Sequence, residues 1–330
     1  MKLIDPFGRN ITYLRFSVTD HCNYRCHYCR DENHTVKTSR QQVLTYEEIV
    51  KIMRIFAELG IIKVRLTGGE PLLRKGIVKI IRLISGIDGI SDIPLSTNAH
   101  LLAKFAQKIQ QNGVNRVNIS IDSILPERFE KITRGGDLSK VIEGIDAAKQ
   151  AGIKPIKLNV VVMREVNDDE IEALTDFAIG RKIDVRFIET MPIGTAGIDA
   201  LDQHYSAAQI FKRLDAHLPN RLIASKSEQS AGPAKNYSIK NSGSSVGIIS
   251  AVSNHFCSSC NRIRLTAKGR LILCLGQANS VSLRDAMRSG MSDDELKSTI
   301  IKAITNKPEK HEFSSNVDNI KAAQMVEIGG

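Results

Sequence analysis

Three cysteines near the N-terminus have a spacing that suits iron–sulfur chemistry. Cys22, Cys26 and Cys29 follow a strand-like run as C-x3-C-x2-C. Three thiolates on one short loop can hold three irons of a 4Fe–4S cluster and leave the fourth iron open to a small ligand, whereas ferredoxin-type clusters use four cysteines. The alternative is a structural zinc site with His21 or His27 as fourth ligand, although zinc knuckles usually have paired C-x2-C groups.

A second cysteine triplet lies near the C-terminus. Cys257, Cys260 and Cys274 are spaced as C-x2-C-x13-C. On residue counts alone this triplet fits either zinc, with His255 as a fourth ligand, or a second iron–sulfur cluster with an open iron. The six cysteines are predicted to be reduced metal ligands rather than disulfides.

Basic residues stand on strands where a covered sheet should be apolar. They are Arg15, Arg65, Lys157, Arg262 and Arg264. Guanidinium groups match phosphate oxygens and also bind bases. Arg262 and Arg264 alternate, so on a strand they face the same side. The positions predict a site for an anionic ligand rather than solvated surface charges.

These groups need a scaffold, and the chain supplies an alternation of strands and helices. Six short apolar runs are typical of covered parallel strands. The predicted strands are Tyr13–Val18, Lys63–Thr67, Ile93–Thr97, Arg116–Ile121, Ile156–Met163 and Asp184–Glu189. The predicted helices lie in Thr45–Leu59, around Leu101–Ile109, around Val141–Ala148 and around Ile171–Ala178, the last with Asn167 as N-cap. Six right-handed βαβ units are too few to close an eight-stranded barrel, so an open α/β sheet or partial barrel is expected, with its chemistry at the carboxyl ends of the strands.

The regular alternation of strands and helices ends at about residue 200. A helix near Ser206–Leu218 precedes a polar segment, Ser225–Ser245, and the remaining elements are short. Strands are predicted at Val246–Ser250, Ile263–Thr266 and Arg270–Cys274, helices at Val281–Ser289 and Asp293–Thr305, and a polar, irregular tail at Lys307–Gly330. The predicted domains are residues 1–200, a barrel with the first triplet, and residues 201–330, a smaller α+β domain that covers the open side and carries the second triplet.

Composition sets broad limits. The 330 residues are 42% hydrophobic and 25% charged, as in ordinary globular proteins, and no run of eighteen apolar residues predicts a membrane span. The N-terminus has no secretion signal, so a cytoplasmic location is expected. The net charge of +10 would suit nucleic acid, an anionic membrane or a polyphosphate, and composition does not choose among them.

The first triplet and the motif RLTGGEP together resemble the radical S-adenosylmethionine (SAM) superfamily. The resemblance implies a 4Fe–4S cluster at Cys22, Cys26 and Cys29, with SAM on its open iron. It also implies that Tyr28 lies by the cluster and adenine, and that the Gly68–Gly69–Glu70 motif meets the amino group of SAM. Two adjacent glycines at a strand end allow the backbone to approach a ligand closely.

Further motifs are similar to those of the molybdenum cofactor biosynthesis protein A family. In chain order they are RFSVTDHCNYRC, RLTGGEP, LSTN, NISID, KLNVVV, RFIETMPIG, FCSSCNRIRL and the terminal Gly329–Gly330. The resemblance implies a partial (β/α)6 barrel of the radical SAM type and GTP 3′,8-cyclase activity in the first step of molybdenum cofactor synthesis. A 5′-deoxyadenosyl radical would take hydrogen from C3′ of GTP, after which C3′ bonds to C8. It also implies a second 4Fe–4S cluster at Cys257, Cys260 and Cys274, facing the guanine.

The resemblance carries over to individual residues. GTP contacts are implied for Arg15, Arg65, Ser96, Lys157, Arg262 and Arg264, and SAM contacts for Tyr28, Gly69, Ser120 and Met191. Arg15 is also a candidate catalytic residue. Two departures stand out: Arg30-Asp31 replaces a common Met-Pro and leaves the loop exit open to question, and Ser96 replaces a common Thr but keeps the hydroxyl. The His- and Lys-containing segment 33–40 has no assigned role and is interpreted as a solvated loop.

The tail and the partners complete the predictions. Gly329–Gly330 is predicted to enter the barrel and to help place Arg15 or the substrate, because glycine lets a bare backbone enter a crowded site. The implied partners are GTP, a low-potential electron donor of the flavodoxin or ferredoxin type and a downstream cyclic pyranopterin monophosphate synthase. No nucleic acid or membrane partner is expected, and a homodimer is left open.

Two rival interpretations remain at this point. A radical SAM enzyme acting on peptide or RNA would leave Arg262 and Arg264 without a purpose. A non-catalytic zinc protein that binds nucleic acid would be colourless and bind RNA in a salt-sensitive way. Metal analysis after anaerobic purification separates these two classes.

Overall fold

The computed structural model of the protein describes residues 2–32, 38–225, 232–254, 256–276, 280–311, 313 and 324–329. Its N-terminal part contains six parallel strands in consecutive order. They are β1 (Tyr13–Ser17), β2 (Lys63–Thr67), β3 (Leu95–Thr97), β4 (Val117–Ser120), β5 (Ile156–Val162) and β6 (Asp184–Glu189). All six predicted strands are confirmed, with ends that differ by at most two residues.

Helices connect these strands. They are α1 (Tyr46–Glu58), α2 (Ile77–Ser85), α3 (Leu102–Gln111), α4 (Pro126–Thr133), α5 (Leu138–Gln150) and α6 (Ile171–Arg181). The four predicted helices are present, and α1 begins with the predicted cap, in which the Glu48 backbone N–H donates to the Thr45 hydroxyl at 3.2 Å. Sequence reading missed α2 and α4, which have only nine and eight residues and so offer a short periodic signal.

The predicted role of Asn167 as the N-cap of α6 is wrong. The residue before α6 is Glu170, and the Asn167 side chain turns back towards strand β5. Its amide oxygen accepts from the Met163 N–H at 2.8 Å, and its amide nitrogen donates to the carbonyls of Asp122 at 2.7 Å and Val161 at 2.9 Å. Asn167 therefore joins the ends of β4 and β5, where backbone groups would otherwise be buried without partners.

The C-terminal part is a mixture of short strands and helices. In chain order they are α7 (Gly194–Asp199), α8 (Ala207–His217), β7 (Leu222–Ala224), β8 (Lys235–Ile239), β9 (Ser245–Ile249), β10 (Arg262–Leu265), β11 (Arg270–Ile272), β12 (Ser280–Ser282), α9 (Leu283–Arg288), α10 (Asp293–Ile304) and a helical turn at Met325–Ile328. Three predictions need correction. The polar segment Ser225–Ser245 contains β8, the helix predicted from Val281 begins only after β12, and the tail predicted to be irregular contains the turn at Met325–Ile328.

All twelve strands belong to one mixed sheet in the order β12-β11-β10-β1-β2-β3-β4-β5-β6-β9-β8-β7. Strand β10 pairs in parallel with β1, and β9 pairs in parallel with β6, so the C-terminal part extends both edges of the six-stranded core. Hydrogen bonds between the described strands do not close the sheet into a ring. The predicted α/β class, with a partial barrel and an α+β C-terminal part, is confirmed.

The two faces of the sheet differ in chemistry. Buried residues such as Leu14, Phe16, Val64 and Leu158 alternate along the strands and pack with the helices into one apolar core. The opposite, concave face carries basic and polar side chains. Among the described residues, no helix has the length and apolar character needed to cross a membrane.

Candidate active site

One cavity collects most of the predicted site residues on the concave face of the sheet. Those that line it are Arg15, Cys22, Cys26, Tyr28, Cys29, Arg65, Gly69, Ser96, Ser120, Met191, Arg262 and Arg264. They come from both ends of the chain and meet because β10 pairs with β1. Lys157, Cys257, Cys260 and Cys274 are not among the described lining residues.

The first triplet lies on the loop after β1, as the sequence predicts. Backbone hydrogen bonds fasten this loop to the end of α4, from the Arg25 N–H to the Thr133 carbonyl at 2.9 Å and from the His27 N–H to the Ile132 carbonyl at 3.2 Å. The Cys29 N–H donates to the Cys26 carbonyl at 3.0 Å, which closes a tight turn. All three cysteines line the cavity, and these hydrogen bonds hold the backbone of their loop in place.

The electrostatics of this loop favour neutral thiols until a cation binds. Burial raises the pKa of Cys22 to about 11 and that of Cys29 to about 12, and it raises the pKa of Cys26 well above its usual value. Each of Cys26 and Cys29 is also raised by the charge of a neighbouring cysteine, which shows that the thiols are close together. Three soft sulfur donors whose ionisation requires a nearby positive charge fit an iron–sulfur cluster.

The glycines of the GGE motif are required by a close approach between two backbones. A Cβ on Gly68 would lie 2.4 Å from the Thr19 carbonyl oxygen, and one on Gly69 would lie 2.3 Å from the His21 carbonyl oxygen. The Gly69 N–H donates to the Thr19 carbonyl at 2.7 Å, so the β2 end and the cysteine loop are joined. The glycine pair is thus required by its contact with the cysteine loop, and the contact of Gly69 with SAM stays a prediction.

Glu70 completes this motif but points away from the cavity. Its carboxylate accepts from the Thr97 hydroxyl at 2.8 Å, the Asn98 N–H at 2.7 Å and the Leu72 N–H at 3.0 Å. Burial raises the pKa of Glu70 to about 7 despite these hydrogen bonds. Glu70 therefore joins the ends of β2 and β3, and Gly68 and Gly69 are the part of the motif that lines the cavity.

Tyr28 has a partner that the sequence reading missed. Its hydroxyl donates to Asp122 Oδ2 at 2.8 Å, and Asp122 Oδ1 accepts from the Val161 N–H at 2.8 Å. Burial raises the pKa of Asp122 to about 6. The position of Asp122 at the end of the NISID motif, directly after a strand, was the available signal. Ser120 and Met191, both predicted to contact SAM, line the cavity with this pair.

The basic side chains form adjacent rows across three strands. In the parallel pairing, Arg15 lies between Arg65 of β2 and Arg264 of β10. One step earlier along the strands, Tyr13 lies between Lys63 and Arg262. Neighbouring strands are about 4.8 Å apart, so the three arginines of the first row crowd like charges together.

Tyr13 lies among these cations. Lys63 Nζ is 4.6 Å from its ring centroid, and the guanidinium carbons of Arg65 and Arg262 are 5.7 and 5.9 Å away. Burial by itself would raise the pKa of Tyr13, but Arg65, Arg15, Arg262 and Lys63 lower it to about 8. The lowered pKa shows that the positive potential here outweighs the cost of burial.

Four basic residues that line the described cavity were not predicted as site residues: Arg30, Lys63, Arg116 and Arg186. Burial lowers the pKa of Arg186 to about 10, as it does for Arg15, so both guanidinium groups stay charged at neutral pH. Arg116 also lines the cavity, with its guanidinium held by Asp92. Arg186 alternates with apolar residues on β6 in the same way as the predicted arginines, and that alternation was the signal.

The balance of charge in the cavity is strongly positive. Eight Arg and Lys residues line it, against the carboxylates of Asp122 and Glu189. Glu189 is already engaged, because its carboxylate accepts from the N–H groups of Ala207 at 2.7 Å, Val252 at 2.9 Å and Ser253 at 3.0 Å. The described cavity therefore favours an anion with several negative charges.

Lys157 differs from the other predicted GTP contacts. Its ammonium group pairs with Asp184 Oδ2 at 2.9 Å, at the amino end of β5. Asn159 and Val161 lie on the same face of that strand and do line the cavity. Lys157 is therefore one step beyond the cavity, engaged with a carboxylate.

Arg264 is buried and contacts the C-terminal tail. Its Nη1 donates to the Gly329 carbonyl and, at 3.3 Å, to the Ile328 carbonyl. Gly329 has a φ of 78°, and a Cβ there would lie 3.0 Å from Thr67 Cγ2. The predicted entry of the tail into the barrel is observed for Gly329, while Gly330 lies outside the described residues.

The second triplet lies next in sequence to residues that line the cavity: Phe256 precedes Cys257, and Leu275 follows Cys274. Two cations fasten its backbone. Arg9 Nη1 donates to the Cys257 carbonyl at 2.7 Å, and the ammonium of buried Lys307 donates to the carbonyls of Leu273 at 2.6 Å and Arg262 at 3.1 Å. His255, the alternative zinc ligand, lies outside the described residues.

The thiols of the second triplet have unlike surroundings. Burial by itself would raise the pKa of Cys260, but the charges of Lys307 and Arg262 lower it below its usual value. Burial raises the pKa of Cys274. Within the described part of the chain, no group of three or more His, Cys, Asp or Glu side chains is arranged to hold a single metal ion.

Comparisons with known proteins extend this description. The Radical SAM superfamily model matches residues 16–178, and the Molybdenum Cofactor Synthesis C model matches residues 183–313. The structure of Streptococcus suis SuiB bound to S-adenosylmethionine has a TM-score of 0.65 over 98% of this chain and 78% of that one, at 13% identity, and so shares the fold. The GTP 3′,8-cyclase of Hydrogenovibrio crunogenus is 53% identical over the full length of both chains, and that of Alkaliphilus metalliredigens is 44% identical over 99% of both.

A parallel partial barrel with three cysteines after its first strand, matched by the superfamily model, defines a radical SAM enzyme. Such an enzyme holds a 4Fe–4S cluster and SAM. Within that class, the chain belongs to the GTP 3′,8-cyclase family.

Proposed function

We propose that this protein converts GTP to (8S)-3′,8-cyclo-7,8-dihydroguanosine 5′-triphosphate in the first step of molybdenum cofactor synthesis. The names and full-length similarity of its relatives support the reaction. The observation that carries the proposal is one cavity lined by the first cysteine triplet and by the basic rows, with the second triplet next in sequence to the lining residues Phe256 and Leu275. That arrangement suits a triphosphate nucleotide held between two redox sites.

The first half of the cavity supports SAM binding. Cys22, Cys26 and Cys29 would hold the cluster there, and when bound and reduced this group supplies one electron to SAM, which then yields methionine and a 5′-deoxyadenosyl radical. We propose that Tyr28 and the Gly69 backbone contact SAM. The hydrogen bond from Tyr28 to Asp122 fixes the ring before SAM arrives.

The middle of the cavity supports triphosphate binding. We propose that Arg15, Arg65, Ser96, Arg262 and Arg264 contact GTP. The repulsion between the arginine rows costs free energy in the empty cavity, and a bound triphosphate removes that repulsion. Arg186 and Lys63 line the same region and add to its positive potential.

We also propose that Lys157 contacts GTP, after a change in its present contacts. Its ion pair with Asp184 must open, or the substrate must reach towards it, before it can contact GTP. Its position on the face that also carries Asn159 supports this assignment.

We further propose that Cys257, Cys260 and Cys274 hold a second 4Fe–4S cluster facing the guanine. Arg9 and Lys307 support an anionic metal–thiolate site, because both place positive charge against its backbone. We propose two domains with different roles: residues 1–200 bind SAM, and residues 201–330 carry the second cluster. An external low-potential electron donor and a downstream cyclic pyranopterin monophosphate synthase complete the proposed pathway.

The proposal is tested with the anaerobically purified protein. Iron and zinc are measured first, and the protein is then incubated with GTP, SAM and a chemical reductant. The expected result is iron at both triplets, together with 5′-deoxyadenosine and a cyclised nucleotide that both depend on GTP and SAM. Zinc at both triplets, or SAM cleavage that produces no altered nucleotide, would contradict the proposal.

A further inference from the structure

Asp31 stands two residues after the last cysteine of the first triplet, at the loop exit. Its carboxylate Oδ2 accepts a hydrogen bond from the Thr195 hydroxyl and another from Gln324 Nε2 at 3.1 Å. Gln324 Nε2 is also 3.4 Å from the Thr195 hydroxyl oxygen, so the three side chains form one cluster. We call Asp31, Thr195 and Gln324 the loop–tail cluster.

The cluster joins three segments that are far apart in sequence. Asp31 belongs to the cysteine loop, Thr195 to the short helix α7 after Met191, and Gln324 immediately precedes the helical turn Met325–Ile328. Gln324 is only 7% exposed. Its side chain does not cap the helical turn that follows, and its amide nitrogen donates to Asp31 instead. The neighbouring Arg30 does not compete for the carboxylate, because its Nη2 donates to the Tyr24 carbonyl at 3.0 Å.

The turn that Gln324 introduces forms part of the cavity wall. Met325 and Val326 line the cavity, and Met325 and Ile328 pack with Ile193 into a small apolar cluster that touches Cys29 and Met191. The far end of the turn is held by Arg264, which donates to the Gly329 carbonyl. The tail is therefore fixed at both ends, by the loop–tail cluster beside the first triplet and by Arg264 in the basic row.

We propose that Asp31 is a positioning residue that couples the first cysteine loop to the C-terminal tail. Because one carboxylate accepts from both Thr195 and Gln324, any shift of the cysteine loop is transmitted to the segment after β6 and to the tail. The part of the cavity wall that Met325 and Val326 form is then complete only when the cysteine loop has its ordered conformation. This coupling would confine SAM cleavage to a closed cavity, and this last consequence rests on the proposed function.

The test compares variants of the full-length, cluster-loaded enzyme. Asp31→Asn removes the charge and one acceptor, and Thr195→Val removes a donor without changing shape. Glu32→Gln is the matched control, because Glu32 is the exposed neighbour. The double variant Asp31→Asn with Gln324→Glu exchanges the carboxylate and amide and restores one hydrogen bond in the opposite direction.

The first readout is amide hydrogen exchange in residues 324–329. We expect roughly tenfold faster exchange in Asp31→Asn and Thr195→Val, because a hydrogen bond to a charged group is lost, and partial return of protection in the double variant. Iron content should match wild type in all four proteins. Wild-type protection of the tail in Asp31→Asn, or equal loss in Glu32→Gln, would overturn the proposal.

The second readout is the number of 5′-deoxyadenosine molecules formed per cyclised product. It should rise in Asp31→Asn and Thr195→Val and return towards wild type in the double variant, whereas an unchanged ratio beside a loosened tail would overturn the coupling. If the wild-type protein does not cyclise GTP, the proposed function fails, and the exchange comparison still decides the role of Asp31. If Asp31→Asn loses iron, Thr195→Val and the double variant decide it by the same exchange readout.

Discussion

Arg15 and Arg264 lie directly opposite each other in the parallel pairing of β1 with β10, although the two residues belong to opposite ends of the chain. Arg65 flanks Arg15 on its other side. Three guanidinium groups at one level of a sheet repel one another, and burial lowers the pKa of Arg15 to about 10 and that of Arg264 well below its usual value. The row concentrates positive charge in the cavity, and its assembly requires β10 of the C-terminal part to pair with β1.

The two cysteine triplets should be separable by mutation. Replacing Cys22, Cys26 and Cys29 with Ala should halve the iron content and abolish SAM cleavage, because the proposed SAM-binding cluster is lost. Replacing Cys257, Cys260 and Cys274 should also halve the iron but leave some uncoupled SAM cleavage. Iron analysis and 5′-deoxyadenosine formation measure both effects, and full iron in either triple variant would show that the triplets do not each hold a cluster.

Arg262 and Arg264 should serve substrate binding more than stability. Changing either to Ala should weaken GTP binding by roughly tenfold or more, about 1.4 kcal/mol or more, since each loses contacts to an anion in a buried site. Cluster absorbance and melting temperature should stay near wild type. Calorimetry with GTP and thermal melting test this, with exposed Lys310→Ala as control; unchanged affinity together with a much lower melting temperature would identify a structural role.

Arg264 should differ from Arg262 in one respect. Only Arg264 donates to the Ile328 and Gly329 carbonyls, so Arg264→Ala should also release the tail. Carboxypeptidase should remove the terminal residues faster from Arg264→Ala than from Arg262→Ala. Equal rates for the two variants would contradict the observed contact.

Deleting Gly329 and Gly330 should stop catalysis while sparing assembly. Gly329 lies against Thr67 and meets Arg264, so its loss should leave both clusters and most GTP binding but misplace the bound substrate for catalysis. Formation of the cyclised product should fall to near zero, and a synthetic peptide of the last residues should restore part of it. Wild-type product formation by the truncated enzyme would show that the tail is dispensable.

The cysteines of the metal-free protein should differ in reactivity towards iodoacetamide. The charges of Lys307 and Arg262 outweigh burial and lower the pKa of Cys260, whereas burial raises that of Cys22 to about 11 and that of Cys29 to about 12. Since the thiolate is the nucleophile, Cys260 should be alkylated first near neutral pH, and Cys22 and Cys29 should reach half their maximal rate only near pH 11 to 12. Mass spectrometry of peptides after timed labelling decides this, and preferential labelling of Cys22 at pH 7 would refute the electrostatic account.

The sequence predicted the six core strands because each is a short apolar run, and it predicted the first triplet because its spacing is local. It did not predict the pairing of β10 with β1, which depends on contacts between residues some 250 positions apart and leaves no local pattern. Three further contacts were not predicted, for the same reason. They are the contact of Arg264 with the tail, the hydrogen bond from Thr97 to Glu70 and the hydrogen bond from Tyr28 to Asp122. Arg186 was readable in principle, because its alternation on β6 matches that of the predicted arginines.

The Arg30-Asp31 departure shows how a local difference acquires meaning only in three dimensions. The sequence alone did not predict the conformation of the loop exit. In the structure Arg30 caps the Tyr24 carbonyl within the loop, and Asp31 accepts from Thr195 and Gln324. The loop exit is thus fastened by contacts that no spacing rule describes.

The most direct test of the central claim follows one atom from substrate to SAM. GTP labelled with deuterium at C3′ is incubated anaerobically with the cluster-loaded enzyme, SAM and a reductant, and the 5′-deoxyadenosine is analysed by mass spectrometry. We expect each molecule of cyclised product to be accompanied by one deuterium in 5′-deoxyadenosine, because the C3′ hydrogen is the one removed. Unlabelled 5′-deoxyadenosine formed alongside altered nucleotide would contradict this expectation.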